Sequence, residues 1–330
     1  MDTMHENCPH PKRKIQRFGG KRRRCRECGK TWTAHPCRRG RRPLRLPPKL
    51  LMQLLVVGVP TSHLASSYGC SHWSLQKRCQ NASRRLANKP HDPPVPDGGL
   101  ILIADALRLT CQRQEYAIYS MAVKPTDRSI AFFLEPVLLA GRESARGWRQ
   151  AIDRIGPTIR QRIRALVSDG LPGAGMICRQ NRWVHQRCHW HILAPFTGSR
   201  NRRRRVRTLL RKTRDVAYKA IRLAINTTNQ ETLRLALGVL QTLIPMIPHR
   251  AWKFPGIIRQ FTQDIDDFRA YQLHPELGLP ATTGVVESLH AKMRPITSRV
   301  HNPEAIRRRV ACLVRLFPSM RCNRRHYQQN

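Results

Sequence analysis

Apolar runs of strand length begin at residue 100: Leu100 to Leu107, Tyr116 to Val123 and Ser129 to Val137. Runs this short, broken by polar and turn-forming stretches, predict β-strands, and their close spacing favours an antiparallel meander. An amphipathic helix is predicted around Trp148 to Ile155, followed by a further strand at Ile163 to Val167. Three strands, a helix and a strand define a mixed α/β domain. From Arg200 to about Tyr271 the apolar period becomes helical. Thr283 to Arg299 predicts one more helix, with Val286, Leu289 and Met293 on an apolar side and Glu287 on another.

The pattern upstream of residue 100 is different. Residues 89 to 99 (Lys-Pro-His-Asp-Pro-Pro-Val-Pro-Asp-Gly-Gly) are too rich in Pro and Gly for a helix or an interior strand and predict a linker. Residues 46 to 88 predict short helices. Residues 1 to 45 are rich in Cys and Arg with little apolar content, so a metal or a partner has to hold their shape. The longest apolar stretches, such as Leu50 to Pro60, are shorter than the roughly 20 residues that span a bilayer. With no apolar signal segment at the start, the 11 cysteines are expected to be reduced, in a prokaryotic cytoplasm.

Composition names the partner class. Of 330 residues, 61 are Lys or Arg and 20 are Asp or Glu, a formal net charge of +41. A polyanion is the expected partner, nucleic acid of some kind in a nucleoid or nucleus-like compartment, with no membrane and no small-molecule substrate, and the segments below narrow it to double-stranded DNA on the nucleoid. Binding through phosphate neutralisation should be steeply salt-dependent. The abundance of Arg favours bidentate phosphate or guanine contacts.

Two segments suit DNA contact. Cys25-Arg-Glu-Cys28-Gly is half of a zinc ribbon, with two thiolates spaced to meet one Zn²⁺ and Gly29 permitting a tight turn. The second half is imperfect. Cys8 is followed by Pro9-His10-Pro11, so His10 or His5 has to supply nitrogen, with His35 and Cys37 as further candidates. The segment Thr61 to Arg78 predicts a helix-turn-helix: Gly69 enters the turn, Ala65 allows close helix crossing, Ser71 caps the second helix, and Leu64, Tyr68, Cys70 and Leu75 are buried. The second helix offers His72, Ser74, Gln76, Lys77 and Arg78 to a major groove.

Carboxylates are scarce, so their positions matter. Asp105 interrupts the apolar strand Leu100 to Leu107, where a charge costs several kcal/mol unless paired, metal-bound or at a strand edge. Asp169 ends the later strand and is followed by Gly170; Glu287 opens the final predicted helix. Carboxylates from two strands and one helix can converge on two Mg²⁺ or Mn²⁺ ions, which prefer oxygen ligands. After Asp169 comes Trp183-Val-His-Gln186-Arg-Cys188-His-Trp190-His191. A second zinc on Cys188 and His191 would need ligands from elsewhere, so Gln186, Cys188 and His191 are read as bracing the end of a strand, or His189 or His191 as meeting a phosphate.

In order and spacing these segments resemble the DDE transposases of bacterial insertion sequences, specifically the Mutator-like group. Members place one Asp on the first core strand, a second in an Asp-Gly pair, then Gln-x-Cys-x-x-His, a helical insertion, and Glu in a segment like Thr-Thr-Asn-x-x-Glu-Ser. This chain reads Asp105, Asp169-Gly170, Gln186-Arg-Cys188-His-Trp-His191, a basic insertion at about residues 195 to 275, and Thr282-Thr-Gly-Val-Val-Glu287-Ser288. Gly284 stands where the group commonly has Asn, and the ribbon lacks one Cys.

The resemblance implies a ribonuclease H-like α/β catalytic domain over residues 100 to 330, a mixed sheet flanked by helices. It also implies that the ribbon and helix pair bind terminal repeats. Asp105 would bridge two metal ions, with Asp169 and Glu287 holding one each, for DNA cleavage and strand transfer. Arg202, Arg203, Arg204, Arg205 and Arg207 would track the DNA backbone, and a dimer or larger assembly would join two ends. A non-catalytic DNA-binding regulator and a structure-directed nuclease are the competing expectations.

Overall fold

The computed structural model describes residues 14–17, 22–33, 46–54, 59–197, 208–248, 253–298, 300 and 302–322. The chain divides into two compact units, Met1–Leu46 and Pro47–Asn330.

In the first unit, β1 (Ile15–Arg17), β2 (Arg22–Cys25) and β3 (Thr31–Thr33) form a small antiparallel sheet. The turn after β2 is closed by Gly29 N–H donating to the Cys25 carbonyl at 3.0 Å and Cys25 N–H donating to the Lys30 carbonyl at 2.9 Å. Gly29 has φ +67°, a conformation that glycine adopts without the Cβ penalty. Cys25 is buried and Cys28 exposed. Cys8 and His10, with His5, His35 and Cys37, lie outside the described residues.

The second unit opens with α1 (Pro48–Met52), α2 (Thr61–Ser67) and α3 (His72–Ala87). Gly69 turns the chain at φ +57°, and the Ser71 side chain accepts from Ser74 N–H at 3.2 Å, so the expected turn and cap are present. Ala65 and Leu75 are buried at the α2–α3 crossing, while Leu64, Tyr68 and Cys70 are half-buried. The second helix runs nine residues past Arg78, to Ala87, because its inner face packs on a C-terminal helix described below. The Pro-rich stretch that follows is pinned to the core: His91 Nε2 meets the Phe133 carbonyl at 2.8 Å, and Arg162 donates to the carbonyls of Pro96 and Gly98.

A mixed seven-stranded sheet forms the centre. β4 (Leu100–Cys111) and β5 (Gln114–Pro125) make a long antiparallel hairpin. Next come β6 (Ile130–Phe133), β7 (Val137–Ala140), α4 (Ala145–Asp153), α5 (Pro157–Arg160), β8 (Ile163–Ser168), α6 (Ala174–Asn181), β9 (Val184–Arg187) and α7 (His189–Leu193). Helices α8 (Thr208–Asn226), α9 (Gln230–Met246), α10 (Lys253–Gln263) and α11 (Ile265–Leu273) follow, then α12 (Gly284–Thr297), α13 (Pro303–Leu316) and β10 (Ser319–Arg321). The strand order is β10-β6-β5-β4-β8-β9, with β7 also on β5. β4, β8 and β9 are mutually parallel, and the other pairings are antiparallel.

The strand expected over Ser129 to Val137 is two strands. β6 pairs with Ala122 and Val123, β7 with Tyr116 to Tyr119. Pro136 between them has no N–H for a continuous ladder.

Alternation along β4 sorts the core into two layers. Ile101, Ile103 and Leu107 face a cluster with Val286, Leu289 and Met293 of α12 and Val310 and Leu313 of α13. Leu100, Leu102 and Ala104 face Trp148 of α4 and Ile177 of α6. A third apolar cluster joins α7 to α8, α9, α10 and α11. Among the described residues, no helix is long and apolar enough to cross a membrane.

Candidate metal centre

Asp105 has the odd-numbered phase of β4, so its side chain is on the layer that α12 covers. It is buried, 8% exposed. Its Oδ1 accepts from Ala106 N–H at 2.7 Å, and its Oδ2 is 3.4 Å from Nδ1 of buried His290 on α12. Ala104 pairs with Ser168, the last residue of β8, so β8 ends where Asp105 begins and Asp169 emerges beside it. Burial, then the charge of Asp105, raises the Asp169 carboxyl from 3.8 to about 6. Two carboxylates thus share one patch, Asp105 midway along β4 and Asp169 just past the carboxyl end of the parallel strand β8.

Glu287 lies in the first turn of α12, three residues before His290. Its Oε1 accepts from Thr283 Oγ1–H at 2.8 Å. Across from it, Cys188 follows β9 and His191 is on α7. The ligand atoms of Cys188, His191 and Glu287 all lie within 4.8 Å of one another, the possible metal-binding group among the described residues. His191 Nδ1 is 3.7 Å from Glu287 Oε1. Burial acts to lower the His191 pKa, but Cys188, by hydrogen bond and charge, and then Asp169 and Glu287 outweigh it and raise the group to about 9. His191 therefore senses both Asp169 and Glu287, while His290 ties Asp105 to the helix that carries Glu287. The three carboxylates separated in sequence are gathered around these two histidines.

The surrounding shell fixes these positions. Buried Gln186 accepts from Tyr271 N–H at 2.8 Å and donates to the Arg187 carbonyl at 2.7 Å and the Phe268 carbonyl at 3.2 Å, clamping β9 to α11. His189 adds a 2.7 Å bond to the Phe268 carbonyl. Cys188 N–H donates to the Ser168 carbonyl at 2.7 Å, which locks the ends of β8 and β9 together. Gly170 has φ +100°, and a Cβ there would stand 2.4 Å from Arg187 Nη2. Arg187 in turn donates to Asp264 at 2.8 Å.

A Ser168–His185–Asp267 chain, with distances of 3.0 and 2.7 Å, has the connectivity of a nucleophilic triad. Ser168 is fully buried and also accepts from Gly170 N–H at 3.3 Å, so the chain positions the backbone around Asp169 and offers no accessible nucleophile.

Of the residues expected to read DNA, Gln76 and Lys77 are exposed and Ser74 and Arg78 half-buried. His72 is exposed and hydrogen-bonded to Thr61. Gln76 also borders a cavity of about 490 Å³ between α3, α12 and α13. Arg202 to Arg205 and Arg207 lie outside the described residues. Sequence reasoning missed Thr283, His290 and Glu143. Glu143 is held by Trp148 Nε1–H at 2.8 Å and adds to the rise of Asp169. His290 carried a signal, since it is one helical turn from Glu287; Glu143 sits in a loop and carried none.

Comparison with family models finds no match for this chain. Comparison with curated proteins likewise finds no significant match.

Proposed function

We propose that this protein is a metal-dependent DNA-processing enzyme of the DDE type, a transposase with a ribonuclease H-like core. One observation supports the reading: Asp105, midway along β4, and Asp169, just past the end of the parallel neighbour β8, lie close enough that the charge of Asp105 adds to burial in raising Asp169 to about 6, with Glu287 on α12 beside them. Carboxylates that repel one another across a half-open patch fit divalent cations, which relieve the repulsion. Asp105, Asp169 and Glu287 would hold Mg²⁺ or Mn²⁺. When bound, a pair of such ions activates the attacking oxygen and stabilises the leaving 3′ oxygen of the DNA strand.

The chain's own groups prepare that site. His290 orients Asp105, and Thr283 fixes the rotamer of Glu287. His191, carrying a proton at neutral pH, offers a cation to a scissile phosphate. The net charge of +41 concentrates DNA at the surface. The Cys25–Cys28 turn, completed by Cys8 and His10 or His5, would be a structural Zn²⁺ site of ribbon type. The exposed polar residues of α3 would read terminal repeats, and two ends processed together call for a dimer or larger assembly.

The test is incubation with candidate element ends and Mn²⁺, mapping the cut strand and scoring strand transfer. Asp105→Asn, Asp169→Asn and Glu287→Gln should each abolish products while DNA binding persists. Unchanged products in any of the three overturn the assignment. DNA binding without any metal-dependent cutting favours a non-catalytic regulator.

A further inference from the structure

The group around Glu287 contains more than oxygen ligands. Cys188 is 1% exposed, and its sulfur accepts from Thr283 N–H at 3.4 Å, with Thr283 Oγ1, whose proton goes to Glu287, 3.5 Å away. His191 Nδ1 is buried and makes no hydrogen bond, although Glu287 Oε1 is 3.7 Å away. One sulfur, one imidazole nitrogen and one carboxylate oxygen already lie within 4.8 Å of one another. Tetrahedral coordination at about 2.0–2.3 Å from the ion needs such ligands to close by an ångström or less. Two of the three donors, sulfur and imidazole nitrogen, do not suit Mg²⁺, which prefers oxygen; thiolate with imidazole selects borderline-soft ions.

We propose that Cys188, His191 and Glu287 form a binding site for a Zn²⁺-class ion, separate in chemistry from the all-oxygen site of Asp105 and Asp169 and sharing Glu287 with it. Cys188 closes the inner side. The side chains of His191 and Glu287, 30% and 31% exposed, face the open side, so the fourth coordination position is left to water. Binding releases protons to solvent, because ligating thiol and imidazole are deprotonated. On the catalytic reading above, on which this consequence alone rests, an ion here withdraws Glu287 from the hard-cation pair, and Zn²⁺ acts as an inhibitor that competes with Mg²⁺ or Mn²⁺.

The experiment uses the full chain with Cys25→Ser and Cys28→Ser, stripped by a chelator and titrated with Co²⁺. The expected result is a thiolate-to-cobalt charge-transfer band with the visible bands of a four-coordinate ion. Cys188→Ser should abolish the charge-transfer band, His191→Gln and Glu287→Gln should each weaken binding and shift the visible bands, and Asp105→Asn should leave both intact. Absence of the band in the parent, its persistence in Cys188→Ser, or indifference to both His191→Gln and Glu287→Gln overturns the site. The readout needs no DNA and no turnover. A chain that cleaves DNA without a Cys188-dependent band refutes this site alone, and a chain with the band but no cleavage refutes the enzymatic reading alone.

Discussion

Asp169 is the residue on which pH acts most directly. Its folded pKa of about 6 exceeds the ordinary 3.8, so folding favours its protonated form. The resulting stability is fully present below pH 4 and is lost as pH rises through 6, by at most about 3 kcal/mol. Denaturant titrations of chelated protein should show that loss between pH 4 and 7, and Mg²⁺ should reduce it by binding the ionised form. Asp169→Asn should flatten the same profile. His191, with its pKa raised to about 9, has the complementary dependence: its contribution is intact below 6.5 and fades as pH passes 9. His290→Ala removes the partner of Asp105 and should lower metal-dependent cleavage about 10- to 100-fold, with DNA binding retained in a filter or mobility-shift assay.

At the scale of elements, the turn between β8 and α6 is the most constrained. Gly170→Ala places a Cβ at positive φ and against Arg187, and should cost about 1–3 kcal/mol in a urea unfolding curve. Ser71→Ala removes the α3 cap and should cost about 1 kcal/mol by the same measurement. Both positions were marked in the sequence, Gly170 by its place in an Asp-Gly pair and Ser71 by its place after Gly69. The β4–β5 hairpin was legible in its apolar runs and illegible at its tip: Gln112 and Arg113 adopt φ 52° and 64° without the Asn-Gly dipeptide that announces such a turn. Neighbours 99 or more residues apart, such as Cys188 with Glu287 or Asp105 with His290, leave no trace in local pattern. Asp105 stood out because it breaks an apolar run. Its neighbour His290 stood in an ordinary helix, and α13 and β10 followed it unannounced.

The whole molecule is dominated by its charge. Binding to a duplex of any sequence should weaken steeply with salt, with a log–log slope near −0.9 for each phosphate neutralised, measured by anisotropy across ionic strengths. A shallow slope would mean that most of the +41 is spent away from DNA. One packing relation joins the remaining parts. Helix α13 lies between α3 and α12, donating Cys312 Sγ–H to the Ser83 carbonyl of α3 at 3.1 Å on one flank and contacting the Glu287-bearing helix on the other. The seating of α3 and the seating of Glu287 therefore lean on a common beam, and loosening it from either flank slackens both.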